Sequence, residues 1–277
     1  RVTLTSDIAS TNNVAYVAGV ARSGTSWIAQ ILNSHPDVCF RFQPFFAYEF
    51  KGRVNEDSSP DEYHQLFLDM YNTESSFLTQ EDKRTAGDYP QFEKHPNPHT
   101  LVFKENRYQS MLEPMLRRVS YLKAVGIVRH PCAVLNSWSK NPKEFPPGSE
   151  LLREWRFGNC KNKGNEDYFG YYKWKEVAHM YLDLRDKYPD RFALLRYEDV
   201  VYDPQRTISA LFKFLGISYD EATQRFLRES TSVHGDSYYA VYKNKSVAEK
   251  WRFELSPHII EEVYADVAGT RLEQFVR

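Results

Sequence analysis

Three cysteines in 277 residues, Cys39, Cys132 and Cys160, are too few and too scattered for a disulfide framework, and none stands at metal-ligand spacing. Each is expected to be a small buried hydrophobe. No apolar run approaches the roughly 18 residues of a membrane span, and residues 1–11 are polar without a signal-like core. We therefore expect a cytoplasmic protein with no membrane span. Because the sequence begins without Met, a removed leader or anchor upstream of Arg1 stays open. An excess of either charge is lacking too: Lys plus Arg number 36 against Asp plus Glu 37, a net charge of −1. A surface-wide polyanion footprint is thereby excluded, and no nucleic-acid partner is expected. Any anion must be held by a local constellation. There is no repeat of fixed period and no low-complexity tract, which excludes solenoids and tails.

What is present is ordinary for a globular chain: 42% hydrophobic and 26% charged residues. A chain of this size buries roughly three quarters of its unfolded surface, enough for one sizeable core, so a single domain over 1–277 is expected. The 19 Tyr and 18 Phe read as an aromatic-rich core. Residues 14–20 form a short β-branched and aromatic run ending near Gly, and 25–34 follow as a helix stopped near His35 and Pro36. Segments 38–42 and 101–104 read as short strands, and 121–129 as a longer strand running into Pro131 and a helix to about Ser139. Apolar positions Trp174, Val177, Ala178, Tyr181 and Leu182 have helical spacing, Pro189 and Asp190 break to a strand at 192–197, and a helix at 204–215 follows. Strands alternating with helices predict an α/β fold, a parallel sheet flanked by helices on both faces, with ligands at the carboxyl ends of the strands. Two long irregular stretches, 80–99 and 141–149, have the character of lids or acceptor-binding segments.

The strongest local signal is Gly19-Val20-Ala21-Arg22-Ser23-Gly24-Thr25-Ser26, between a strand and a helix. It fits the frame in which loop amides and a helix N-terminus cradle an anion. The frame lacks its lysine, because Thr25 follows the second Gly and the cation, Arg22, precedes it. The later buried strand ends in Ile127-Val128-Arg129 rather than in a magnesium-holding aspartate. Arginine there implies a second anion, and no metal is expected.

These residues resemble the sulfotransferases that use 3′-phosphoadenosine-5′-phosphosulfate (PAPS) and release 3′-phosphoadenosine-5′-phosphate (PAP). Arg22-Ser23-Gly24-Thr25-Ser26-Trp27 is similar to that family's 5′-phosphosulfate loop. Arg129, with Ser137 eight residues on, is similar to its 3′-phosphate site, where an Arg fork and a Ser hydroxyl bind one phosphate. Tyr197-Glu198-Asp199 resembles the family segment whose Tyr contacts the adenine end, and Lys243, Lys245 and Ser246, with Lys250-Trp251-Arg252, resemble its basic C-terminal loop. The resemblance, over about 14–252, implies a P-loop-like three-layer sandwich and leans toward carbohydrate-modifying Golgi and bacterial members over the cytosolic aryl ones.

It also implies a reaction: in-line transfer of a sulfuryl group from PAPS to a hydroxyl or amine of a carbohydrate or other small acceptor, catalysed by positioning and charge. Arg22 would take charge developing on the leaving phosphate, and Lys104 would steady the departing oxygen. The base is less evident. The His of cytosolic members is here Asn106, and the Glu of Golgi carbohydrate members is Gln43; amides do not take up a proton near neutral pH. Glu105 is the first replacement, although strand alternation turns neighbours to opposite faces; Glu49, His95 and His99 are rivals, Gln43 would orient the acceptor, and His130 reads as structural. Two other readings stay open from the residues: a P-loop nucleotide or small-molecule kinase, and a non-catalytic nucleotide-binding module. Oligomeric state is not legible.

Overall fold

The computed structural model describes residues 13–232 and 245–277. β1 (Val14–Ala18) leads into α1 (Thr25–Asn33), β2 (Val38–Phe42) into α2 (Pro60–Asn72), and β3 (Thr100–Glu105) toward α3 (Leu112–Arg118). β4 (Leu122–Val128) runs into α4 (Pro131–Ser139), and α5 (Tyr171–Lys187) returns the chain to β5 (Phe192–Arg196). Then come α6 (Tyr197–Tyr202), α7 (Pro204–Leu215), α8 (Glu221–Ser232), the short α9 (Trp251–Glu254) and α10 (Pro257–Val267).

The strands make one parallel sheet in the order β2-β3-β1-β4-β5, so the expected class is the one observed. β1 lies at the centre, and the chain runs first to one side of it and then to the other. Crevices open where strand order reverses in this way, here between the tips of β3, β1 and β4. Register sets those tips level, with Ala18 opposite Glu105 on one side and Gly126 on the other.

Side-chain alternation assigns the two cores. Val14, Tyr16 and Ala18 of β1 point to a layer containing α2, α3, α4, α5 and α10, whereas Ala15 and Val17 point to α1, α6, α7 and α8. Every residue of β1 is buried, as a strand covered on both faces requires. α2 is an element the periodicity did not suggest. It starts with a capping box, Ser59 accepting from the Glu62 amide and Glu62 from the Ser59 amide, with Pro60 in the first turn. The 80–99 stretch contains a short helix, Glu81–Thr85, and is stitched to the sheet. Lys94 donates to the carbonyls of Asn33, His35 (3.0 Å) and Val38 (2.9 Å), closing the C-terminal end of α1, and the His99 ring meets Asp37 at 2.7 Å.

Packing is tight where α5 crosses β4. A Cβ on Gly126 would lie 2.5 Å from Tyr181 and 2.7 Å from Phe192. Gly126→Ala is therefore expected to cost about 1–3 kcal/mol through overpacking. Urea unfolding measures it, and an unchanged midpoint would contradict this close approach.

Candidate functional site

Level strand tips leave a crevice, and a cavity of about 660 Å³ fills it. Arg22, Gly24, Thr25, Ser26 and Trp27 from the first loop line it, with Lys104 and Asn106 from the end of β3 and Arg129 and Ser137 from the end of β4 and from α4. Sequence reasoning placed these residues in one site, and the fold brings them together.

The loop is built for an anion. Gly24 sits at φ 88° as the N-cap of α1, no side chain caps that end, and its first turn has no acidic residue. The amides and positive end of the helix thus face the cavity without a built-in competitor. A Cβ at Gly24 would lie 2.3 Å from the Tyr197 ring, so only glycine fits. Arg22 is also left-handed, at φ 72°. Among the described residues, the non-glycine positions with positive φ are Arg22, Gln43, Gln80 and Tyr108, and the first three line the cavity. Such strain gathers where the surrounding fold over-determines a functional geometry.

Cations converge on the crevice. Arg22 donates from Nε to Ser137 Oγ at 3.0 Å, so the loop and α4 touch across the cavity wall. Arg129 donates from Nη1 to the Arg22 carbonyl at 3.0 Å, and its guanidinium lies 4.5 Å above the Tyr197 ring. Its Nε is buried without a hydrogen-bond partner among the described residues. A buried guanidinium donor left unmatched costs free energy. Lys104 is 2% exposed, donates to Ser26 Oγ at 3.3 Å and lies 4.6 Å from the Phe42 ring centre. Burial pushes its amine down to about 8, partly offset by the charges of Glu105 and Glu144. Thr25 donates to the Asn106 side-chain oxygen at 2.9 Å.

Several expected contacts are corrected. Ser23 is fully buried and its side chain does not line the cavity; its amide closes the turn on the Val20 carbonyl at 3.2 Å. Tyr197 is not on the wall either: it is fully buried beneath Gly24 and Arg129 and acts as their platform. Trp27 reaches the wall, but its indole donates inward to Ser230 at 2.9 Å. Glu105, expected as the base, is turned to the opposite core by strand alternation. It is 0% exposed, is absent from the wall and accepts from the amides of Phe45 (3.1 Å) and Arg107 (3.4 Å). Glu49 accepts from Thr73, and His95 and His99 face Asp37, all away from the cavity. His130 caps α4 and stacks on Trp251 at 4.2 Å, and burial pushes its imidazole down to about 3, as a structural histidine requires. Lys243 and the Lys245 side chain lie outside the described residues; Ser246 opens out beside Val247, Lys250 and Trp251, and of these the last three line the cavity.

The mouth was not read from the sequence. Phe42, Phe46 and Phe77 form it, with ring contacts at 5.4 and 6.2 Å, and Arg107 lies 4.3 Å over Phe46. Lys83, Lys140, Lys143 and Lys161 add positive charge around the rim, and Glu144 and Glu254 are the wall's carboxylates among the described residues. Phe42 was visible beside Gln43, but nothing in local spacing sets Phe77 or Glu144 apart from other Phe and Glu.

Residues 15–221 match the model of the "Sulfotransferase family". Carbohydrate sulfotransferase 3 of Tetronarce californica is 24% identical over 92% of this chain and 70% of its own length, and carbohydrate sulfotransferase 4 of Mus musculus is 23% identical over 91% and 78%. A mouse sulfotransferase complexed with PAP superposes with a TM-score of 0.57 at 12% identity, covering 98% of this chain and 92% of that one. The sulfotransferase domain from the curacin biosynthetic pathway gives 0.54 at 16% identity, covering 92% and 97%. At these identities the likeness to solved structures establishes the fold. The curated relatives overturn the expectation of a cytoplasmic protein, because they belong to the carbohydrate-modifying kind rather than the cytosolic one. Among the described residues no helix is long and apolar enough to cross a membrane.

Glu105 has a structural consequence that can be measured. Burial raises its carboxyl to about 7 from an ordinary 4.5, against the opposing pull of the amides and Lys104. The folded state therefore holds the proton more tightly than the unfolded one, so this group's contribution is complete below 4.5 and is lost as pH rises through about 7. Urea unfolding across that window should show wild type losing stability relative to Glu105→Gln. A difference independent of pH would contradict the buried placement.

Proposed function

The chain belongs to the sulfotransferase family, and within it we propose transfer of a sulfuryl group from PAPS to a hydroxyl of a carbohydrate acceptor. The single observation that carries this reading is the contact of two anion sites across one cavity, with Arg22 hydrogen-bonded to Ser137 and Arg129 to the Arg22 backbone. A nucleotide carrying phosphates at both its 5′ and 3′ positions is the kind of ligand that satisfies both. The α1 amides, Gly24, Thr25, Ser26 and Arg22 would hold the 5′-phosphosulfate, and Arg129 with Ser137 the 3′-phosphate. Lys243, Lys245 and Ser246 are kept as further contacts to that phosphate.

The donor supplies an activated sulfuryl group; the chain supplies placement and charge. Arg22, the helix terminus and Lys104 would take the negative charge that grows on the leaving oxygen, which is worth most in a desolvated crevice. The PAP in neighbouring structures and the carbohydrate substrates in the relatives' names support the donor and the acceptor class respectively. Phe42, Phe46 and Phe77 give the acceptor's ring an apolar face to rest on, and Gln43 offers an amide to its hydroxyls. A kinase would need a lysine in place of Thr25 and an acid in place of Arg129.

Titration calorimetry tests this directly: PAP should bind without magnesium, and ATP with magnesium should bind far more weakly. The reverse order would overturn the proposal. Arg129→Ala is expected to weaken PAP by about 2–5 kcal/mol while leaving adenosine 5′-phosphate, which lacks the 3′-phosphate, nearly unaffected. Equal losses for both ligands would contradict the assignment of Arg129.

Lys104 adds a pH signature. Its ammonium form attracts the 5′ anion and is given up as pH rises through about 8. PAP affinity should therefore fall between about pH 8 and 10 in wild type, while Lys104→Met should bind weakly with no such limb. A limb that survives in Lys104→Met would assign it to another group.

A further inference from the structure

Both familiar base positions carry amides, Gln43 and Asn106, and Glu105 faces away, so the proton of the acceptor hydroxyl needs another destination. Among the described residues the wall holds no histidine and two carboxylates, Glu144 and Glu254. Their surroundings differ. Glu254 Oε2 accepts from Asn136 at 2.7 Å and from Lys140, so it is spent in holding α9 against α4. Glu144 is one of the residues that line the cavity, and its Oε2 is buried and receives no hydrogen bond among the described residues. Its closest cation among the described residues is Arg22, 4.0 Å from Nε to Oε2. A buried carboxylate oxygen without a donor is costly, and such a group persists where function requires it.

The backbone that presents Glu144 is fixed. The turn after α4 closes with the amides of Glu144 (2.9 Å) and Phe145 (2.7 Å) donating to the Asn141 carbonyl. The Trp138 indole donates to the Glu144 carbonyl at 2.9 Å, and Phe145 packs edge-on against Trp138 at 4.9 Å. Residues 141–149, irregular and rich in proline, thus form a rigid arm that reaches the cavity from α4. The carboxylate enters beside Arg22 and close enough to Lys104 for its charge to be felt there.

We propose that Glu144 is the general base for sulfuryl transfer. This rests on the sulfotransfer reading above. The acceptor oxygen forms its bond to sulfur as its proton passes to a Glu144 carboxylate oxygen. The bond between sulfur and the bridging phosphate oxygen breaks, and its electron pair stays on that oxygen as PAP leaves. The sulfate ester and a protonated Glu144 remain, and water removes the proton. Arg22 stands between the two events, beside the base and at the leaving phosphate.

The test compares wild type, Glu144→Gln and Glu144→Asp for PAP affinity by calorimetry and for PAP release from PAPS. N-acetylglucosamine, N-acetylgalactosamine, galactose and water serve as acceptors. Loss of a general base lowers turnover by about 100-fold or more, so Glu144→Gln should do so while binding PAP within about threefold of wild type, and Glu144→Asp should recover part of the rate. Unperturbed PAP binding certifies that the variant is folded. Turnover of Glu144→Gln within about threefold of wild type would overturn the assignment, as would a loss of PAP affinity that matches the loss of rate. A wild type that fails to bind PAP, or binds it and turns over none of these acceptors, overturns the sulfotransfer reading and this assignment with it. A failure seen only in the variant comparison removes Glu144 alone.

Discussion

Withdrawing cations from water around one crevice imposes the constraint from which the rest of the molecule follows. Lys104 is almost wholly buried, Arg129 is 7% exposed with an Nε unmatched among the described residues, and Arg22 holds a strained backbone beside them. Each placement costs solvation, and side chains in the vicinity return only part of it. Carboxylates that would neutralise the group are scarce: Glu105 is turned to the other core, and Glu144 approaches Arg22 no closer than 4.0 Å. The deficit suits a ligand with more than one negative group, and in a low-dielectric site each such contact is stronger than it would be in water.

The sheet makes that placement possible. Because β1, β3 and β4 are parallel and in level register, the residues that follow them emerge at the same edge although they lie far apart in sequence. Tyr197, at the end of β5, then serves as the floor on which Gly24 and Arg129 rest. Trp174 of α5 donates to the Arg129 carbonyl at 3.0 Å, which ties the second arginine to the opposite layer. The cationic residues are thus held by both cores, and neither layer can shift without moving the site.

Much of this was legible because it is local. A helix starting at Thr25, an arginine ending a buried strand and a serine two turns into the next helix are read from spacing, and α4 and α7 occupy the segments expected of them. The α2 capping box, Ser59 to Glu62 with Pro60, is equally local but carries no apolar periodicity of its own. Glu105 and Tyr197 lie off the cavity wall for a different reason. Adjacency along the chain says which residues are near a site but not which face they take; alternation put Glu105 with Phe45 and buried Tyr197 under the glycine it supports. Phe77, Arg107 and Glu144 were out of reach, since their membership in the cavity depends on loops meeting across the sheet edge.

The measurement that bears most directly on the central claim is the crystal structure of the protein with PAP bound. We expect the 5′-phosphate on the amides at the start of α1 beside Arg22, and the 3′-phosphate between Arg129 and Ser137, with the Arg129 Nε no longer unmatched. PAP found outside this crevice, or lying in it with only one phosphate in contact with these residues, would contradict the claim that the buried cations exist to grip both ends of one nucleotide.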